Sequence, residues 1–251
     1  MKYKVKLGLT LFGIGFLGIL TMLTVTLPFD HLPPEVLEIF SPQELQLLSL
    51  INPIILLLIA VVVGTILFDK VKLSVPTISS LFRKGEAPIA FLEQTKYGVI
   101  LGLITGTLSL LISIIFSSLS PHEFALLGEN IDLTLIARIG YGGFTEELLM
   151  RFGLMTLVVW IVYKINKKLT PFTYWTGIII ATLIFAIGHF PLAYSTITHP
   201  TVTLLAYILI GNSIAGIFFG WLYWKKGLEA AIIGHIFTHL AMVIGGLFLS
   251  L

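Results

Sequence analysis

The stretch Thr145-Glu146-Glu147-Leu148-Leu149-Met150-Arg151 decides how this chain reads. Two adjacent carboxylates and an arginine sit inside an otherwise apolar run from Leu135 to Tyr163. At ~1.5 Å per residue such a run is long enough to cross about 30 Å of hydrocarbon. A single charge near the bilayer centre costs from about 2.5 to more than 10 kcal/mol, depending on the reference state. Three charges so close together make a poor anchor. Ionisable groups at that depth mark a functional site by default.

The surrounding chain supports the membrane reading. It is 57% hydrophobic and only 11% charged, against about 25% charged in soluble domains. The mean hydropathy is +1.01. The expected fold class is therefore all-α: a polytopic helical bundle in a lipid bilayer, multi-pass in the cell membrane. A net charge of +2 and the lack of any like-charge tail argue against nucleic acid as a partner. Without cysteine there is no disulfide framework, thiolate metal site or Cys nucleophile. Chemistry is left to His, Asp, Glu, Ser or Tyr.

Apolar runs predict seven spans, near 7–27, 47–68, 97–119, 133–163, 172–190, 201–224 and 228–249. No soluble domain fits between them, so residues 1–251 read as one membrane domain. The first run follows Lys2, Lys4 and Lys6 and leads into Pro28-Phe29-Asp30 with no small-x-small site. It reads as a retained helix and not a signal peptide. Loop charge alternates. Lys and Arg fall at the N-terminus, in 69–96, around 164–168 and at 225–226, while 28–46 and 120–132 carry acids and no base. Every Lys and Arg except Arg138 and Arg151 follows this pattern. The positive-inside rule then places the N-terminus inside and the C-terminus outside.

Gly102-x-x-x-Gly106 and Gly216-x-x-x-Gly220 suit close helix packing. Trp160, Trp175, Trp221 and Trp224 cluster with tyrosines near span ends and read as an interfacial belt.

Three histidines stand in apolar context: His189, His235 and His239. His31, His122 and His199 fall on or near loops and carry no assigned role. His235 and His239 are four apart and share a helix face. His189 precedes Phe190-Pro191, where proline is expected to end the helix. Glu146 and His189 each lie roughly 25 Å along their helices from the inner end. They can therefore stand at similar height on adjacent antiparallel helices, with the span-seven pair less closely matched. Glu147 and Arg151 are i,i+4 with the acid first, the favourable order for an ion pair. That leaves Glu146 for chemistry. Arg138 has no acid four residues on and reads as structural, on the interface or a carbonyl.

Glu146-Glu147-x-x-x-Arg151, Phe185-x-x-x-His189 and His235-x-x-x-His239 together resemble the three motifs of the CAAX-protease and bacteriocin-processing (CPBP, or Abi) family. The resemblance covers roughly 133–250. It implies an intramembrane endopeptidase acting on a peptide or membrane-protein substrate. In that pattern Glu146 activates water with His189 as partner, and His235 and the residue four later hold the oxyanion. That last residue is Asn or Asp in the family pattern and His239 here. Glu146, Glu147, His189, His235 and His239 are thus the candidate catalytic residues, with Arg151 as structural ion-pair partner. Two chemistries stay open. In one, a divalent ion such as zinc is held by Glu146, His189 and His235. In the other, which we prefer slightly, Glu146 is a metal-free general base. Two other functions use the same residue types: a proton- or ion-coupled transporter, and a non-catalytic immunity or binding protein on the same scaffold.

Overall fold

The computed structural model describes residues 2–27, 29, 32–82, 87–130 and 133–249. The loop residues Asp30, His31, Arg83, Lys84 and Asp132 lie outside them. Among the described residues seven helices are long and apolar enough to cross a membrane: α1 (Lys2–Thr24), α2 (Pro42–Val71), α3 (Phe91–Leu119), α4 (Leu135–Asn166), α5 (Pro171–Thr196), α6 (Val202–Lys226) and α7 (Leu228–Phe248). The protein is an all-α polytopic bundle, as its apolar runs predict.

Helices α3, α6 and α7 pack together, with α7 lying along α3. Helices α1 and α2 embrace α4, α1 on its first half and α2 on its second. The two groups meet where α7 crosses the first half of α4 and where α5 bridges α4 and α6. The charged helix α4 is therefore flanked on several sides, while leucines and isoleucines of α2 and α5 such as Ile55, Leu58, Ile179 and Leu183 stay exposed for lipid.

Small residues set these crossings. A Cβ on Gly18 of α1 would stand 2.3 Å from the Gly140 carbonyl oxygen of α4 and 2.3 Å from Thr145 Oγ1. Thr145 Oγ1 in turn donates to the Gly15 carbonyl at 2.8 Å. On the other side, a Cβ on Gly102 would stand 2.4 Å from the Gly234 carbonyl oxygen, so α3 and α7 touch backbone to backbone. The Gly102 and Gly216 motifs thus serve packing.

Buried carboxylates tie the helix ends. Glu229, at the start of α7, accepts the Ile78 N–H at 2.7 Å and the Gln94 amide at 2.8 Å. At the opposite end Glu123 accepts the Thr201 N–H at 2.7 Å and the hydroxyls of Thr201 and Ser120. Trp224 stacks on Tyr174 and lies under Lys225 Nζ, consistent with an interfacial belt.

Two local expectations are corrected. Helix α4 is not α-helical through the charged stretch: Arg138–Glu146 and Leu148–Met155 are π-helical, with ordinary α-helix resuming at Thr156–Asn166. Pro191 does not end α5. The helix Pro171–Ile187 breaks at Gly188 and His189, and Pro191 sits in the first turn of a second segment, Phe190–Thr196. That position needs no N–H from proline.

The α1–α4 crossing yields a stability test. Gly18→Val is expected to destabilise the protein by about 1–3 kcal/mol through overpacking. Gly13→Ala, with nothing within 4 Å of its added Cβ, should be near neutral. Thermal unfolding of the two variants in detergent measures the contrast.

Candidate active site

Wide turns position the glutamates. The π-helical segment carries Gly140, Gly142 and Gly143, against whose backbone the side chains of Thr21, His239 and Ile236 rest closely. Such i→i+5 segments are rare and occur mostly at functional sites. From this segment Glu146 and Glu147 go to different places.

Glu147 is fully buried and Arg151 nearly so. Arg151 Nε lies 3.3 Å from Glu147 Oε2, an ion pair without good hydrogen-bond alignment. The guanidinium also donates to the Gly216 carbonyl at 3.4 Å and rests between the rings of Phe185 and Phe219. Glu147 Oε1 is 2.9 Å from His235 Nδ1. A carboxylate only accepts, so this nitrogen carries the proton. Glu147 therefore holds a cation on one oxygen and a histidine on the other.

Glu146 faces elsewhere. Its side chain is 17% exposed, with Oε2 3.9 Å from His235 Nε2. It lines a cavity of about 540 Å³ together with His189, His235 and His239. Glu147 and Arg151 do not line it. His189 Nδ1 is 2.8 Å from the Phe185 carbonyl. A carbonyl cannot donate, so Nδ1 is protonated and Nε2 of the neutral ring keeps its lone pair. The break in α5 at Gly188 and His189 allows this back-bond, and Phe185 braces the imidazole edge-on at 4.7 Å.

The His235 ring is stacked between Phe219, at 4.6 Å, and His239, at 4.9 Å. His239 Nε2 would be 2.7 Å from a Cβ on Gly142, so this histidine lies over the glycine backbone of α4. Its Nδ1 is buried without a hydrogen-bond partner.

All five candidate catalytic residues therefore gather in one region, four on the cavity and Glu147 behind it. The expected Glu147–Arg151 pair is present. The Glu147–His235 contact was not anticipated. Tyr141, Asn212 and Arg138 also line the cavity without having been singled out for it. Asn212 donates to the Ile208 carbonyl at 2.8 Å; as an amide inside an apolar run it carried a signal that could have been used. Among the described residues no three His, Asp or Glu side chains converge closely enough to hold a metal ion. The trio Glu146, His189 and His235 as placed does not fit a zinc-type site.

An acid–histidine chamber thus lies within a polytopic membrane bundle. Residues 130–241, which include all three motifs, match the family model described as type II CAAX prenyl endopeptidase Rce1-like. The segment that carries the site is thus similar to the family whose motifs it resembles. The match supports a CAAX-type intramembrane protease, a multi-pass membrane enzyme with a peptide substrate. No curated protein and no solved structure matches the chain.

The buried pair makes a prediction. Arg151→Met strands the Glu147 carboxylate and should cost about 3–5 kcal/mol. The double variant Glu147→Gln with Arg151→Met should cost less than the two singles added together. Denaturant titration in micelles across this cycle reads the coupling.

Proposed function

We propose that the protein is a metal-free glutamate intramembrane endopeptidase with Glu146 as its general base. The observation that carries this reading is the split of the charged stretch: Glu146 opens on the chamber with His189, His235 and His239, while Glu147 and Arg151 are sealed behind it.

In this reading a water sits between Glu146 and the Nε2 lone pair of His189. Glu146 takes one proton as the water oxygen bonds to the scissile carbonyl carbon. The carbonyl oxygen becomes an oxyanion facing His235 Nε2 and His239. His235 donates from Nε2 when protonated on both nitrogens, with the Glu147 carboxylate accepting from its Nδ1. His239 supplies a second donor from an imidazole N–H in place of an amide. Collapse breaks the C–N bond as Glu146 passes its proton to the leaving amine, giving one new carboxyl and one new amine. Glu147 and Arg151 are positioning residues that hold His235 and do not touch substrate.

Residues from the ends of α1, α5 and α7 and the starts of α4 and α6 line the chamber, among them Met22, Ala137, Leu192, Ile208 and Met242. It thus lies toward the end of the bundle opposite the lysine-rich loops. By the charge rule this is the outer side of the cell membrane, with the N-terminus inside and residues 133–250 as the catalytic core of a single membrane domain.

Glu146→Gln is expected to lower kcat by about 10²- to 10⁴-fold, the usual contribution of general acid–base catalysis. Thermal stability should stay near that of the parent. The measurement is cleavage of a peptide pool by the reconstituted protein, read by mass spectrometry. Undiminished cleavage by the variant would remove Glu146 from the chemistry. Proton flux without hydrolysis would favour the transport reading.

Gly142→Ala supplies a second check. Its Cβ would meet His239 Nε2 at 2.7 Å and must displace the ring. We expect a drop in kcat of at least about tenfold with KM little changed, as for loss of an interaction made in the transition state.

A further inference from the structure

The end of the bundle away from the chamber has two unlike sides. On one side lysines meet carboxylates: Lys4 pairs with Asp69 at 2.7 Å and Lys226 with Glu93 at 2.6 Å. On the other side stand Lys164 at the end of α4, Lys167 and Lys168 in the turn to α5, and Lys225 at the end of α6, all exposed. None of these four forms an ion pair among the described residues. The sequence explains why. No Asp or Glu occurs between Thr156 and Leu228. Glu229, the next acid along, is buried and committed to the Ile78 N–H and the Gln94 amide.

Two of the lysines rest on rings instead. Lys225 Nζ is 3.6 Å from the ring centroid of Trp224, and Lys164 Nζ 5.7 Å from that of Trp160. Trp224 in turn stacks on Tyr174 of α5 at 4.8 Å and meets Trp175 edge-on at 6.4 Å. The Tyr174 hydroxyl donates to the Val71 carbonyl at 2.9 Å, which anchors this aromatic shelf across the α5–α6 crossing. In the same stretch Ile165 and Phe172 are 73% and 66% exposed.

We propose that this corner of α4, α5 and α6 is a binding site for the phosphate headgroup of an anionic phospholipid. A ring beneath a lysine fixes the ammonium group without cancelling its charge, and N–H donors remain for an incoming anion. Tryptophan and tyrosine settle at headgroup depth, so these ammonium groups stand at the level of the lipid phosphates. Exposed Ile165 and Phe172 offer apolar surface to the acyl chains of the same lipid. Basic clusters between membrane helices receive headgroups of this kind. No residue named for this corner lines the chamber, so the site stands apart from the protease reading.

The test uses the full chain in phosphatidylcholine vesicles. Phosphatidylglycerol or phosphatidylcholine with brominated acyl chains is titrated in, and quenching of tryptophan fluorescence reads the relative affinity. The wild-type protein should prefer phosphatidylglycerol by at least about fivefold, the gain usual for one lysine near an anionic surface. Lys164→Gln combined with Lys225→Gln should reduce that preference to less than about twofold. Lys70→Gln combined with Lys96→Gln removes the same charge from exposed positions on α2 and α3 and should leave the preference unchanged. Equal quenching by the two lipids overturns the proposal without any variant. An equal loss in both double variants also overturns it, since the attraction is then a diffuse surface charge. A preference abolished by inorganic phosphate, and not by chloride of the same ionic strength, overturns the lipid assignment in favour of a free-anion site.

Discussion

The structure depends on one buried group, the carboxylate of Glu147. It is fully out of solvent, where an isolated charge would cost many kcal/mol. Two partners make that position tenable. Arg151 supplies the countercharge from the same helix, and His235 supplies a donor from α7. Because the partners come from both α4 and α7, the carboxylate also locks two helices in register. Arg151 extends the lock to α6 through the Gly216 carbonyl and to α5 through Phe185. A charge that looks expensive in a membrane helix is the joint at which four helices meet.

The same joint prepares the histidines. With Nδ1 of His235 held by Glu147, its Nε2 is the atom aimed toward Glu146. The aromatic face of Phe219 and the ring of His239 prevent rotation out of that plane. His189 is oriented by a different device, a carbonyl freed where α5 breaks. The two rings are thus held by different acceptors at Nδ1, a carboxylate for His235 and a backbone carbonyl for His189.

Much of this was legible in the sequence, and the reasons differ by feature. The seven crossings are long, mainly apolar runs separated by charged or proline-containing turns, so their number follows from run length even though the fourth carries charges. The Glu147–Arg151 pair is local, and i,i+4 spacing names it. The contact between Glu147 and His235 joins residues 88 positions apart, and no local pattern encodes it. Pro191 was misjudged because proline disfavours the residue before it and equally suits a first turn. The choice was made by the break at Gly188 and His189. The π-helical register of α4 was also hidden. An acid and a base four apart are compatible with either winding, and the hydrogen-bond register leaves no mark except the glycines that permit it.

Adjacent residues on any helix point in different directions, and here the two glutamates meet different surroundings. Here Gly142 and Gly143 let α7 approach so closely that His239 and Ile236 rest against backbone. The space so removed on one side brings His235 within reach of Glu147. The opposite consequence is an opening beside Glu146, since Tyr141, Gly142 and Glu146 all border the chamber. Close approach at the glycines and open space at Glu146 are therefore two results of the same backbone geometry. A larger residue at 142 would disturb both through His239, the side chain on which this chain departs from the family pattern.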